Sequence, residues 1–121
     1  KPSNETSFLF KGETTLPLKI RMGAAYRNDD EQVHIGWDIT GITRELLDAG
    51  LYICLYKKWN DDDIFRFVKS LNIDETSTVD SYMSPGDKAE YRLRVRSKDG
   101  RISPYSNMVE VTVPHKEEIT E

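Results

Sequence analysis

Residues 89–97, AEYRLRVRS, alternate without a break: Tyr91, Leu93 and Val95 against Arg92, Arg94 and Arg96. A period of two is what a strand with one dry and one wet face requires, and a helix cannot use it. The same period recurs along the chain. PLKIRMGAAY places Leu18, Ile20 and Met22 on one side, and QVHIGWDI places Val33, Ile35, Trp37 and Ile39 inward with His34, Gly36 and Asp38 outward. LYICLYKKW, DIFRFVKSL, TSTVDSYM and NMVEVTV complete seven strand-like segments. Turn residues separate them at Asn28-Asp29-Asp30, Asn60-Asp61-Asp62, Ser84-Pro85-Gly86 and Asp99-Gly100. Only TRELLDAG, residues 43–50, has helical spacing, with Thr43 as cap and Gly50 as stop. Seven short strands with almost no helix predict an all-β, seven-stranded antiparallel β-sandwich.

One such domain fits 121 residues and has room for a core without covalent staples. The lone cysteine, Cys54, excludes an internal disulfide and sits in an apolar strand with no flanking histidine, so it reads as a buried thiol. The net charge of −4 argues against nucleic acid as a partner, and no apolar run is long enough for direct membrane insertion. Residues 1–16 read as a linker or an added edge strand, 17–113 as the sandwich and 114–121 as a charged tail or linker. A first residue other than Met reads as a processed chain or one cut from something longer.

The order of landmarks over residues 17–113 resembles a fibronectin type III domain. The matching pieces are VHIGW, then LYKK, MSPG, YRLRV, the Gly100 turn and SPYSNMVEVTV. The last is similar to modules in large bacterial surface and glycan-degrading proteins. The resemblance implies immunoglobulin-like, fibronectin type III topology and a non-catalytic module of a larger exported or surface protein, located outside the cell, at its surface or in a bacterial periplasm. It would act as a spacer and dock on neighbouring domains of the same polypeptide or on another protein. The alternative is a carbohydrate-binding accessory module of a glycan-degrading enzyme. One departure stands out. The tyrosine that the family places at the corner entering the sixth strand is here Ala89, which implies that its buried hydroxyl bond is missing. Tyr91 cannot take that place without shifting the register.

No residue pattern suggests catalysis. His34 and His115 have no Ser, Cys or carboxylate at a triad or metal spacing, and HExxH, CxxC and phosphate-loop motifs are absent. No cofactor is expected, although Asn28–Glu31, Asn60–Asp63 and Asp87 would meet at one pole in this topology. Calcium takes six to eight oxygens and could use such a pole; Asn and Asp are also ordinary turn residues.

The outer face of the sheet holding the third, sixth and seventh strands is the candidate protein interface. Arg92, Arg94 and Arg96 line it, and two registers are open for the third strand. Burying Leu51, Ile53 and Leu55 leaves Tyr52, Cys54 and Tyr56 outside; the opposite register exposes the aliphatics. The first fits better, because branched aliphatics fill cores more readily than tyrosines do. Tyrosine beside arginine is typical of interface hot spots, and equally of a sheet surface whose arginines stack on their neighbours. Trp59, with Asn60 and Asp62, is the candidate glycan contact. Lys98–Arg101 contains the ingredients of an integrin-binding loop but not their order, so SKDGRISPYSN reads as a connector.

Overall fold

The computed structural model describes residues 15–115. Seven strands and one short helix follow in order: β1 (Lys19–Arg27), β2 (Gln32–Thr40), α1 (Arg44–Asp48), β3 (Leu51–Trp59), β4 (Arg66–Asn72), β5 (Ser77–Asp80), β6 (Lys88–Ser97) and β7 (Val109–Thr112). They form a three-stranded sheet, β1-β2-β5, and a four-stranded sheet, β4-β3-β6-β7, with antiparallel pairing throughout. This is the fibronectin type III-like arrangement. The Thr43 hydroxyl caps α1 by accepting from the Leu46 N–H at 3.3 Å. Gly50, at φ +83°, takes the left-handed conformation that ends it.

The alternation decides which face is dry. Leu18, Ile20, Met22, Val33, Ile35 and Trp37 from one sheet meet Leu51, Ile53, Leu55, Tyr91, Leu93, Val95 and Val111 from the other. The β3 register that buries Leu51, Ile53 and Leu55 is the one adopted. Cys54 points outward yet is only 2% exposed, covered by its neighbours, and burial pushes its thiol pKa up. Leu16, in the segment read as a linker or an added edge strand, is fully buried, and its N–H donates to the Ile102 carbonyl at 2.8 Å. Packing therefore begins before residue 17; residues 1–14 and 116–121 lie outside the described residues.

Ala89 keeps its register at the start of β6, and a buried tyrosine hydroxyl bond unforeseen in the sequence is made two residues on. Tyr91 is fully buried, and its hydroxyl donates to Asp80 Oδ2 at 2.6 Å. Its acceptor is a carboxylate at the end of β5, a partner that counting along the chain does not reveal. The same oxygen accepts from Lys57 Nζ at 2.7 Å, because the alternation that turns Leu55 inward turns Lys57 inward too. The ammonium also donates to the Tyr82 carbonyl at 3.0 Å and lies 3.8 Å from the centre of the Trp59 ring. The ammonium thus has an anion, a carbonyl and a π face around it, which offsets the cost of burying its charge. Burial alone would raise the Asp80 pKa, but the bonds from Lys57, Tyr91 and the Tyr82 N–H hold it below the ordinary range. The Tyr91 hydroxyl is pushed up, first by burial and then by its bond to Asp80.

The connection between β6 and β7 is built from side-chain bonds. Tyr91 pairs with Val109, so a continued register would set Leu93 against Asn107 and Val95 against Tyr105. Pro104 has no N–H and cannot extend that ladder. Instead Ser103 donates its N–H to the Val95 carbonyl, and its hydroxyl accepts from the Val95 N–H, both at 2.9 Å. Ser106 treats Leu93 the same way at 2.8 and 2.9 Å. Asn107 crosses to the other sheet: Oδ1 accepts from the Met22 N–H at 2.9 Å and Nδ2 donates to its carbonyl at 3.0 Å. SPYSN is therefore a clasp that ties the chain to β6 and to β1. At the loop tip Arg101 pairs with Asp99 at 2.9 Å; Arg101 and Ser97 hold the Asp99 carboxyl down at about 2.

Candidate interaction face of the four-stranded sheet

Because β3 and β6 pair residue by residue, Tyr52, Cys54 and Tyr56 stand opposite Arg96, Arg94 and Arg92. The clasp adds Tyr105 to this face. Ser103 and Ser106 hold the chain to β6, and the residues between them bulge outward. The Tyr105 ring then receives Arg92 and Arg94, each guanidinium carbon 3.6 Å from the ring centre. Two cations that close would collide on one face, so they occupy opposite faces. Phe65, from the β3–β4 loop, lies against Arg92 at 4.0 Å. The result is a stack, Phe65–Arg92–Tyr105–Arg94. Tyr56 meets Tyr105 and Phe67 edge to face, with centroids 5.7 and 6.0 Å apart.

The stack fixes the guanidiniums without neutralising them. Arg94 Nε donates to the Ser103 carbonyl at 2.9 Å, and an Arg96 Nη donates to the Tyr56 hydroxyl at 3.1 Å. Arg92 Nε is buried without an acceptor. Among the described residues, none of the three arginines pairs with a carboxylate. Nearby charges are closed among themselves: Lys58 with Glu90 at 3.1 Å and Lys88 with Glu110 at 3.5 Å. Each exposed cation–π contact contributes about 0.5–1 kcal/mol, so the stacking supports the sheet as well as the face. Tyr52, Tyr56, Arg92, Arg94 and Arg96, singled out in the sequence, do share one surface; Phe65 and Tyr105 were missed. A hint for Tyr105 lay in its position between two serines whose hydroxyls could bond back to the chain. Phe65 sits in a loop and leaves no periodic signal.

The second candidate group divides. Trp59 is 37% exposed, with Lys57 over its ring and its Nε1 donating to Asp87 Oδ2 at 3.3 Å. Asn60 is occupied in the turn, at φ +48°, where its Oδ1 accepts from the Lys88 N–H at 2.8 Å. Asp62 accepts from the Trp59 N–H at 3.4 Å and lies 3.7 Å from Arg66. What the sequence did not show is a groove of about 330 Å³ between the β4 and β5 edges, over the Lys57–Asp80 pair. Trp59, Phe67, Val68 and Tyr82 line it, with Phe67 57% and Tyr82 75% exposed.

Two of the acidic turns meet, since Trp59 and Asn60 bond to Asp87 and Lys88, and Asp30 and Asp87 are each engaged within their own neighbourhood. Asp30 Oδ2 lies 2.6 Å from His34 Nε2, and that bond lowers its pKa. Asp87 accepts from the Ser84 N–H at 3.0 Å, which lowers its own. Among the described residues no three His, Cys, Asp or Glu side chains stand close enough to hold a metal ion, and no helix is long and apolar enough to cross a membrane.

No family model and no curated protein matches this chain. Among solved structures, a Fn3-like protein from Clostridium thermocellum is similar over 77% of this chain and 88% of that one. Its TM-score is 0.56 and its sequence identity 14%, a likeness of fold alone.

Proposed function

We propose that the chain is a non-catalytic module of a larger exported or surface protein. It serves as a spacer and docks on a neighbouring domain or another protein through the outer face of the β4-β3-β6-β7 sheet. One observation supports this: two guanidiniums stacked on aromatic rings and a third bonded to the Tyr56 hydroxyl, without a carboxylate partner among the described residues, on a chain whose net charge is −4. Arginine and tyrosine held rigid before contact lose little entropy on binding, which is why they dominate interface hot spots. The intact mass of the native polypeptide is expected well above 14.0 kDa, and a mass of 14.0 kDa removes the spacer role. Hydroxyl-radical footprinting then tests docking. Tyr56 and Phe67 should label about threefold less in the native polypeptide than in the isolated domain, since an interface core excludes water. Equal labelling overturns the docking role.

The groove favours a second reading, carbohydrate binding as an accessory module, because Trp59, Phe67 and Tyr82 offer three aromatic surfaces beside polar groups. Under it, Trp59→Ala abolishes retention on a polysaccharide affinity gel. Paired Arg92→Glu and Arg94→Glu substitutions leave retention intact and, under the first reading, remove docking.

A further inference from the structure

Arg92, Arg94 and Arg96 project from alternate residues of β6, so their backbone origins repeat every ~6.6 Å. Any extended polypeptide repeats its own alternate side chains at the same distance. The row is ordered in advance: Arg92 lies between Phe65 and Tyr105, Arg94 on the other face of Tyr105, and Arg96 against the Tyr56 hydroxyl. Most of the rotamer entropy that long cationic side chains lose on binding is therefore already spent. The flanking outward positions, Tyr52, Cys54 and Tyr56 on β3 and Ser70 and Asn72 on β4, bring no acidic side chain to the row, while Glu90 and Glu110, outward at its end, pair with Lys58 and Lys88. An uncompensated row of positive charge fits an acidic ligand, and its spacing fits one particular shape.

Resting on the docking role of this face, we propose that the row holds an extended acidic segment of a partner polypeptide, with carboxylates at alternate residues facing successive guanidiniums. A segment with contiguous acidic residues turns half its carboxylates away, because successive side chains of a strand point to opposite sides. A sulfated polysaccharide shares the charge but not this repeat.

The test is fluorescence anisotropy at low salt with three probes: a peptide alternating glutamate and serine, a peptide of the same composition with its glutamates in one block, and a sulfated polysaccharide. The alternating peptide should bind about tenfold tighter than the blocked one, with affinity falling as salt rises. Arg94→Gln should weaken it about tenfold, and Arg96→Gln, which leaves the aromatic stack intact, about fivefold. Lys98→Gln, at the loop tip, should change nothing. Equal binding of the two peptides, binding of the polysaccharide alone, or no binding overturns the proposal. If no peptide binds while footprinting still shows the face covered in the native polypeptide, docking stands and the acidic segment is wrong.

Discussion

Asp80→Asn is expected to destabilise the fold by about 3–5 kcal/mol, the usual consequence of leaving a buried cation without its counter-ion. The Asp80 side chain is 2% exposed and that of Lys57 7%, so little water reaches the pair to replace the lost charge. The same substitution weakens the acceptor of the Tyr91 hydroxyl, while Tyr91→Phe, which removes one bond and keeps the ring, should cost only about 1–2 kcal/mol. Urea denaturation measures both, and the paired change Lys57→Met with Asp80→Leu should recover much of the loss because no charge is then stranded. An Asp80→Asn protein as stable as the parent would show that the ammonium reaches solvent. The pH dependence has a definite sign. Asp80 is more acidic folded than unfolded, so its contribution is present above the unfolded carboxylate pKa and lost as pH falls through the folded value. Stability should fall below about pH 4 in the parent, and less steeply in Asp80→Asn.

Removing both clasp hydroxyls, Ser103→Ala with Ser106→Ala, should cost about 2–6 kcal/mol. The Val95 and Leu93 N–H groups would each be left buried without an acceptor, at about 1–3 kcal/mol apiece. Alanine keeps the backbone bonds from residues 103 and 106, so the loss isolates the hydroxyls. It should also loosen Tyr105 and release Arg92 and Arg94 from its ring. Thermal unfolding gives the first effect, and tyrosine fluorescence quenching by iodide, which rises as Tyr105 is exposed, gives the second. A double variant that melts with the parent would mean the β6 amides find other partners.

Most strands were legible because they alternate, and β6 leaves no second choice; β3 is apolar on both faces, and only the preference for burying aliphatics over tyrosines chose its register. The arginine row was legible for the same reason. Lys57 shows where that logic stops. Alternation turned it inward, yet lysine is so rarely buried that only its partner makes the position credible, and Asp80 lies at the end of another strand. The Tyr91 bond was missed for a related reason: its hydroxyl bonds a side chain, and distance along the sequence is silent about side chains from the opposite sheet. Tyr105 reaches the arginines because Pro104 breaks the β6–β7 ladder and the chain bulges, a consequence of backbone bonding rather than of pattern. The groove depends on how the β4 and β5 edges come together, which no single segment encodes.

The clasp also determines how the domain carries load. The chain enters beside Ile102 at one pole, and its described end, His115, lies against Gly86 at the other. β1 and the segment from Ile102 onward run parallel, joined by the Leu16–Ile102 bond and the two Met22–Asn107 bonds. Tension between the two ends drags these segments past one another along their length. The three bonds then share the force and must yield together, whereas bonds pulled crosswise would open singly like a zip.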